Sequence, residues 1–182
     1  MSGYTEYYKK FDHKVYPSEW IVRSFLGRYE KYISLARRSE GFKLNKSVYK
    51  EKKILDIGYG DGRNLSFFNS LEMQVYGVEP SEDLINFSKS LFPWAELKKG
   101  ENCKLPFEDN FFDFLVASHS IYYLSENQTL IESLNETYRV LKRNGNIYFT
   151  VPTSKNHTLK KAERLLNSNQ WILEDTFYNV RK

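Results

Sequence analysis

The sequence predicts an α/β protein whose doubly wound, mostly parallel sheet carries helices on both faces. Short apolar runs alternate with helical patterns from Lys53 onward. Three glycines within five positions follow the first run, in ILDIGYGDGRNL (54–65), and an acidic residue ends the second run, in VYGVEPS. Strands joined by helices make right-handed crossovers, and such crossovers build a parallel sheet that is covered on both sides.

The composition predicts a single globular domain. The 182 residues are 41% hydrophobic and 27% charged, which is ordinary for a domain with a sizeable core. We divide it into an N-terminal helical cap or lid with a basic link (1–50), a core (51–152), and a last helix and strand (153–182).

Several classes of protein are disfavoured by simple features of the sequence. No apolar run reaches the length of about 18 residues that a membrane span needs, and the N-terminus lacks the apolar centre of a secretory signal. Cys103 is the only cysteine, so an intramolecular disulfide and a multi-cysteine metal site are excluded. We therefore expect a cytoplasmic protein with no membrane segment and no metal site.

The first 35 residues are predicted to be helical and are rich in aromatic side chains. Ser18 is a candidate N-cap, and apolar residues then recur every four positions at Ile21, Phe25, Tyr29 and Ile33. The aromatic side chains of this segment have two interpretations. They either pack a helical cap onto the sheet, or tyrosines among them close over a bound cation and its polar substrate.

The most basic stretch runs from Arg37 to Lys53. It fits either a solvated linker or a groove that binds nucleic acid. The net charge of +4 is mild and the other basic residues are scattered, so we expect no large nucleic-acid partner.

The core elements follow one another in a regular order. Predicted strands are KILDI, QVYGV, AELK, FDFLVAS and NIYFTV; predicted helices are RNLSFFNSL, SEDLINFSKSLF and SENQTLIESLNETYRVLKRNG. The last helix has a capping-box start at Ser125 with Gln128, and Gly145 is its expected C-cap.

The C-terminal residues predict one helix, HTLKKAERLLNSN, and one strand, QWILEDTFYNV. Because only one strand is predicted here, a C-terminal hairpin is expected to be incomplete. The main sheet is then six-stranded, or the chain is truncated, or another subunit covers the exposed edge. We expect a homodimer.

The glycine turn and the acid after the second strand point to a particular ligand chemistry. The dinucleotide fingerprint is G-x-G-x-x-G, but here the third glycine, Gly62, comes one position earlier. Asp56 and Asp61 would repel a pyrophosphate and suit a ligand that carries positive charge. Glu79, about twenty positions after the turn, has the place of an acid that accepts hydrogen bonds from ribose hydroxyls.

Four segments resemble the class I S-adenosylmethionine-dependent methyltransferases, particularly the type-11 group that acts on small molecules. They are LDIGYGDG, VEPS, KKGENCKLPFEDNFFDFL and YRVLKRNGNIYFTVP. The resemblance covers about residues 50–152. It implies a Rossmann-like fold, S-adenosylmethionine as cofactor, and transfer of a methyl group to a small-molecule acceptor.

The same resemblance implies roles for individual residues. Asp56, Gly58, Tyr59, Gly60 and Gly62 line the methionyl end of the cofactor, Glu79 binds the ribose and Pro80 lies against the adenine. Further cofactor contacts are expected from Glu101 and Asn102 at the adenine, Ser118 after the fourth strand, Arg23 at the carboxylate and Tyr8 in the lid.

His119 has two interpretations. It opens the loop over the reaction centre, and histidine is the commonest general base of enzymes, so it either acts as general base for a hydroxyl acceptor or simply packs against the methionyl part.

The acceptor is expected to be an oxygen or nitrogen of a small polar metabolite, such as a sugar, a nucleotide-linked intermediate or an amine. The alternatives are an RNA or protein methyltransferase, and a non-catalytic subunit that binds the cofactor and supports a catalytic relative.

Overall fold

The computed structural model describes residues 16–26, 46–125, 127–152, 163–164, 170–173 and 176–179, and only the backbone of the last three segments. The helices are α1 (Glu19–Leu26), α2 (Arg63–Ser70), α3 (Glu82–Leu91) and α4 (Leu130–Val140), with a 3₁₀ turn at Lys46–Val48. The strands are β1 (Lys53–Ile57), β2 (Gln74–Glu79), β3 (Glu96–Lys99), β4 (Phe112–Ala117), β5 (Tyr123–Leu124), β6 (Leu141–Phe149), β7 (Glu163–Arg164), β8 (Gln170–Leu173) and β9 (Thr176–Asn179).

The main sheet has five described strands in the order β3-β2-β1-β4-β6, and all its neighbours are parallel. The strand order reverses between β1 and β4. Asp56 near the end of β1 is in register with Gly77 of β2 on one side and with Val116 of β4 on the other. The predicted doubly wound, parallel architecture is confirmed, and the glycine turn lies at its switch point, where such folds bind ligands.

Two apolar clusters cover the two faces of the sheet, because successive strand side chains point to opposite sides. Ile54 of β1 belongs to the cluster that contains residues of α1, α2 and α3, whereas Leu55 and Ile57 belong to the cluster that contains Val140 of α4. The helices therefore lie on both faces, as predicted.

Helix α1 packs onto the first of these faces. Ile21 and Phe25 are fully buried, and the Tyr49 hydroxyl donates a hydrogen bond to the carbonyl of Phe25. The predicted four-residue spacing is thus confirmed for these two positions. Tyr29 and Ile33 lie outside the described residues.

Helix α4 begins later than predicted. Thr129 caps it, and its hydroxyl and Glu132 form a reciprocal capping box, whereas Gln128 accepts a hydrogen bond from the backbone N–H of Ser125 ahead of the helix. Because this box satisfies two N-terminal donors, the helix starts at Leu130.

The predicted C-cap at Gly145 is wrong. The helix ends at Val140, where the carbonyls of Arg139 and Val140 accept hydrogen bonds from the backbone of Asn110 and Phe111. The chain then continues directly as β6, which contains Gly145 beside an irregularity in its pairing with β4.

The C-terminal prediction is wrong in two respects. Glu163 and Arg164, inside the predicted helix, form β7, and the predicted single strand is divided into β8 and β9. These strands pair antiparallel with β5 in a separate sheet of order β5-β9-β8-β7, so a hairpin exists but does not extend the main sheet to six strands. Pairing with β8 overrides the helical propensity of this segment. The dimer stays a prediction.

The described lysines of the basic stretch lie at the amino end of the sheet. Lys46 and Lys50 are 3.7 and 3.9 Å from Glu72, and Lys52 is 3.6 Å from Asp113. Lys53 lies over the ring of Phe111. The described part of the stretch therefore contacts acids and an aromatic ring, away from the glycine turn. Among the described helices, none has the length and apolar character needed to traverse a bilayer.

The loop before β4 is fastened to α4 by one arginine. The Arg139 guanidinium donates to the carbonyls of Leu105 and Phe107 at 3.0 and 2.8 Å and to the carboxylates of Glu136 and Asp109. Glu136 in turn accepts from the backbone N–H of Leu105 at 2.7 Å. This clamp orients the loop that leads from the adenine-side segment to β4.

Replacing Arg139 by Ala should lower the free energy of unfolding by about 1–3 kcal/mol, because two carbonyls and Glu136 lose their donor. Urea unfolding measures this. Arg139→Lys should lose an intermediate amount, since a lysine cannot reproduce the fork of the guanidinium. Arg143→Ala, at an exposed arginine of β6, is the matched control. Equal stability of the Arg139→Ala and Arg143→Ala variants would contradict the clamp.

Candidate active site

The glycine turn between β1 and α2 is built in the left-handed region of backbone conformation. Gly58, Gly60 and Gly62 have φ values of 65°, 56° and 75°, which side chains adopt only with strain. A Cβ at Gly58 would lie 2.6 Å from the Cβ of Ser120, and one at Gly62 would enter the ring of Phe92. The bare backbone is therefore required both by conformation and by close packing.

Ser120 connects the turn to the loop that follows β4. Its hydroxyl donates to the carbonyl of Ile57, and its own carbonyl accepts a 2.9 Å hydrogen bond from the amide of Asn102. Asn102 also donates to the carbonyl of Tyr123 at 3.0 Å. The ends of β1 and β4 and the adenine-side loop are thus held together.

Asp56 is a buried carboxyl at the start of the turn. It is 1% exposed, and neither of its oxygens has a hydrogen bond of acceptable geometry within the described residues. Burial raises the pKa of Asp56 to about 8; the neighbouring Asn64 amide lowers it, and the charges of Asp61 and Glu79 raise it further. An unpartnered buried carboxyl is costly, and a ligand with a cationic or donor group would relieve the cost.

Glu79 ends β2 beside the turn. Its Oε2 accepts a long hydrogen bond, 3.4 Å, from the backbone N–H of Gly60. Burial raises the pKa of Glu79 to about 7, and the N–H groups of Gly60 and Ser81 lower it in part. The two strand ends therefore bring two desolvated carboxyls, of Asp56 and Glu79, to one edge of the sheet.

Asp61 is different, because its charge is neutralised locally. Its side chain accepts hydrogen bonds from Nε of Arg63 at 2.9 and 3.0 Å. Of the two acids that we associated with a cationic ligand, Asp56 and Asp61, only Asp56 therefore supports that association.

Tyr59 lies in the turn, but its side chain belongs to the core. It is 3% exposed, and its ring packs so closely on Gly77 of β2 that a Cβ there would lie 2.6 Å from it. Burial raises the pKa of its hydroxyl. Only the backbone of Tyr59 is placed to face a ligand.

The residues expected at the adenine follow β2 and β3. Glu101 is exposed and accepts from the Gln128 amide at 3.1 Å, whereas the amide hydrogens of Asn102 are engaged as described above. Pro80 is exposed directly after β2. Arg23 lies on the exposed side of α1, 2.9 Å from Glu19.

Tyr8 lies outside the described residues, as do His13 and His157 and the other tyrosines before Tyr16. Tyr16 itself is 88% exposed.

The loop after β4 contains Ser118 and His119. The hydroxyl of Ser118 accepts from the Trp20 indole at 3.3 Å, so α1 is fastened to this loop. His119 is exposed and has a φ of 56°, an uncommon value for a residue with a side chain. The backbone N–H of His119 donates to the Thr150 hydroxyl at 2.8 Å.

Asn64 is a site residue that the sequence analysis missed. It is 3% exposed, and its Oδ1 accepts from the backbone N–H of Ser18 at 3.0 Å, which joins the start of α1 to the first turn of α2 beside Asp56. A signal was available: Asn64 falls on the same helical face as the buried Phe68 and Leu71, and a polar residue on a buried face needs partners.

The fold and this edge define a class of protein, the doubly wound α/β proteins with a glycine turn and an acid at the switch point. A family model described as "Methyltransferase domain" matches residues 55–149, and the chain belongs to that family. The resemblance to class I S-adenosylmethionine-dependent methyltransferases is thereby confirmed.

Particular relatives agree with this assignment. The ubiquinone/menaquinone biosynthesis C-methyltransferase UbiE of Campylobacter jejuni is 32% identical to this chain over 103 residues. The match covers 53% of this chain and 43% of the relative. The demethylmenaquinone methyltransferase of Streptomyces avermitilis is 30% identical over 105 residues, covering 56% and 44%. This chain spans less than half the length of these curated relatives.

A solved structure matches nearly the whole chain. The PH0226 protein from Pyrococcus horikoshii is 26% identical, with a TM-score of 0.60, and the match covers 96% of this chain and 82% of that one. It supports the fold described above.

The free energy of unfolding of an Asp56→Asn variant should depend less on pH than that of the wild-type protein. The folded pKa is raised from an ordinary 3.8 to about 8, so between these values only the unfolded state loses the proton. The contribution of Asp56 to stability is therefore present below pH 4 and is lost as the pH rises to 8. Removing the carboxyl should flatten the slope between pH 5 and pH 8 by up to about 1.4 kcal/mol per pH unit.

Chemical unfolding at several pH values measures that slope. Asp83→Asn, at an exposed acid of α3, is the control and should retain the wild-type slope. Identical slopes in all three proteins would show that Asp56 is ionised in the folded state.

Proposed function

We propose that this protein transfers a methyl group from S-adenosylmethionine to an oxygen or nitrogen of a small polar metabolite. The observation that carries the proposal is the buried carboxyl of Asp56, which has no hydrogen bond of acceptable geometry within the described residues, beside Glu79 at the glycine turn. A ligand with positive charge and a ribose fits two such carboxyls, whereas a pyrophosphate would be repelled.

The residues present fit this cofactor. The turn from Gly58 to Gly62 offers backbone without side chains; Asp56 at its start would meet the methionyl end, and Glu79 would accept from the ribose hydroxyls. Asn102 and Glu101 border the adenine side. S-adenosylmethionine supplies a methyl group activated on a positively charged sulfur, so the protein has mainly to bind, align and exclude water.

The order of the strands separates donor from acceptor. The glycine turn follows β1 and Glu79 ends β2, which assigns the donor to that half of the sheet edge. The ends of β4 and β6, with Ser118, His119 and Thr150, border the other half, which we assign to the acceptor. Trp20 of α1 bonds to Ser118 at this boundary, which supports a role for the N-terminal segment in covering the site.

The chemical class of the acceptor rests on indirect arguments. The described lysines of the basic stretch contact acids and a ring at the opposite end of the sheet, which disfavours RNA as the acceptor. Carbon is the second candidate for the acceptor atom, because the relative from Campylobacter jejuni is named as a C-methyltransferase.

Labelled methyl donor offered to fractionated metabolite extracts would identify the product. Turnover by the purified chain would exclude a purely supporting subunit.

His119 is our candidate general base for a hydroxyl acceptor. It is exposed at the end of β4, on the acceptor half, and its uncommon backbone conformation is of the kind that functional sites retain. The alternative, packing against the methionyl part, requires no proton transfer.

Donor binding should strengthen with pH. Because burial keeps protons on Asp56 and Glu79, a cationic ligand must displace those protons, and the affinity should rise at least about tenfold from pH 6.5 to pH 8.5. Calorimetry with S-adenosylmethionine in buffers of different ionisation enthalpy should detect proton release. Asp56→Asn should lose part of this release, and Asp83→Asn should keep it.

If calorimetry detected heat of binding with a nicotinamide dinucleotide, but none with S-adenosylmethionine or its demethylated product, the proposal would be overturned.

His119→Ala should lower kcat by about 10²–10⁴-fold with a hydroxyl acceptor and remove one limb of the pH–rate profile, because general-base catalysis has that size. The binding of the donor should be unaffected. An unchanged rate and profile would remove His119 from the chemistry and leave it as a packing residue.

A further inference from the structure

The loop between β4 and β5 crosses the site in very few residues. It leaves β4 after Ala117, and by Ser120 it packs against Gly58 and donates to the carbonyl of Ile57 on the β1 side. His119 lies between these two fixed points with a φ of 56°. The chain therefore turns back toward β1 at His119, a residue for which the left-handed conformation is unfavourable.

One side chain holds this conformation from the opposite side. The Thr150 hydroxyl accepts the backbone N–H of His119 at 2.8 Å. Thr150 directly follows β6, which pairs with β4 on the side away from β1. The loop is thus fastened on the β1 side by Ser120 and on the β6 side by Thr150.

The hydroxyl of Thr150 acts separately from its backbone. The backbone N–H of Thr150 donates to the carbonyl of Ala117 at 3.2 Å and continues the pairing of β6 with β4. A substitution that removes only the hydroxyl therefore leaves the strand in place. His119 is exposed, so its N–H can bond to water once the hydroxyl is gone, and its backbone is then free to relax.

We propose that Thr150 is a positioning residue for methyl transfer: its hydroxyl holds His119 in the left-handed conformation and so sets the acceptor half of the site. This inference rests on the proposed function. Thr150 touches neither the glycine turn nor Glu79 in the contacts above, so its effect belongs to the acceptor side and not to donor binding.

The test compares Thr150→Val, which keeps the branched shape without the hydroxyl, with Thr150→Ser, which keeps the hydroxyl. Amide hydrogen exchange at His119 should accelerate about tenfold or more in Thr150→Val and stay near wild type in Thr150→Ser. With the acceptor identified by the labelled-donor screen, kcat should fall about 10- to 100-fold in Thr150→Val and recover in Thr150→Ser. The dissociation constant of S-adenosylhomocysteine should change less than about twofold in both variants.

Each outcome bears on one claim. If exchange at His119 is unchanged in Thr150→Val, or if kcat is retained although exchange accelerates, the positioning role is overturned. Equal loss of kcat in both variants would also overturn it, because the serine supplies the same acceptor. If the wild-type protein binds no S-adenosylhomocysteine, the proposed function fails instead, and the exchange comparison alone still decides whether Thr150 holds His119.

Discussion

The close approach of Gly58 to Ser120 is the constraint on which this site depends. It brings the turn after β1 and the loop after β4 into van der Waals contact, and no side chain larger than hydrogen fits at Gly58. The approach exists because β1 pairs in parallel with both β2 and β4, so three strand ends meet at one edge. From that edge follow the positions of Asp56, Glu79 and His119.

The same edge contains buried carboxyls that lower the stability of the folded protein. Asp56 is buried without a partner in the described part of the chain, and Glu79 is desolvated with one long hydrogen bond from Gly60. Neither arrangement favours the folded protein by itself, since buried carboxyls need donors or a cation. Their presence beside a bare glycine turn is understandable when a cationic nucleoside completes the site.

The two halves of the edge are organised differently. The half that we propose for the donor consists of backbone and buried carboxyls, whereas the half that we propose for the acceptor is a short loop whose three residues are each held by a different element. Ser118 is bonded to Trp20 of α1, His119 to Thr150 after β6, and Ser120 to Ile57 of β1. A loop held from several sides is suited to fix the direction from which an acceptor approaches.

The sequence by itself determined the succession of strands and helices along the core, the glycine turn and the acid of β2, because local periodicity and short motifs encode them. It did not determine the end of α4, where the backbone N–H groups of Asn110 and Phe111 donate hydrogen bonds to the last carbonyls of the helix. Nor did it determine the separate C-terminal sheet. It also could not distinguish Asp61, which Arg63 neutralises, from Asp56, whose carboxyl has no hydrogen bond of acceptable geometry in the described part of the chain. These features depend on contacts between residues far apart in the chain or on side-chain geometry, and only the tertiary structure decides which groups meet.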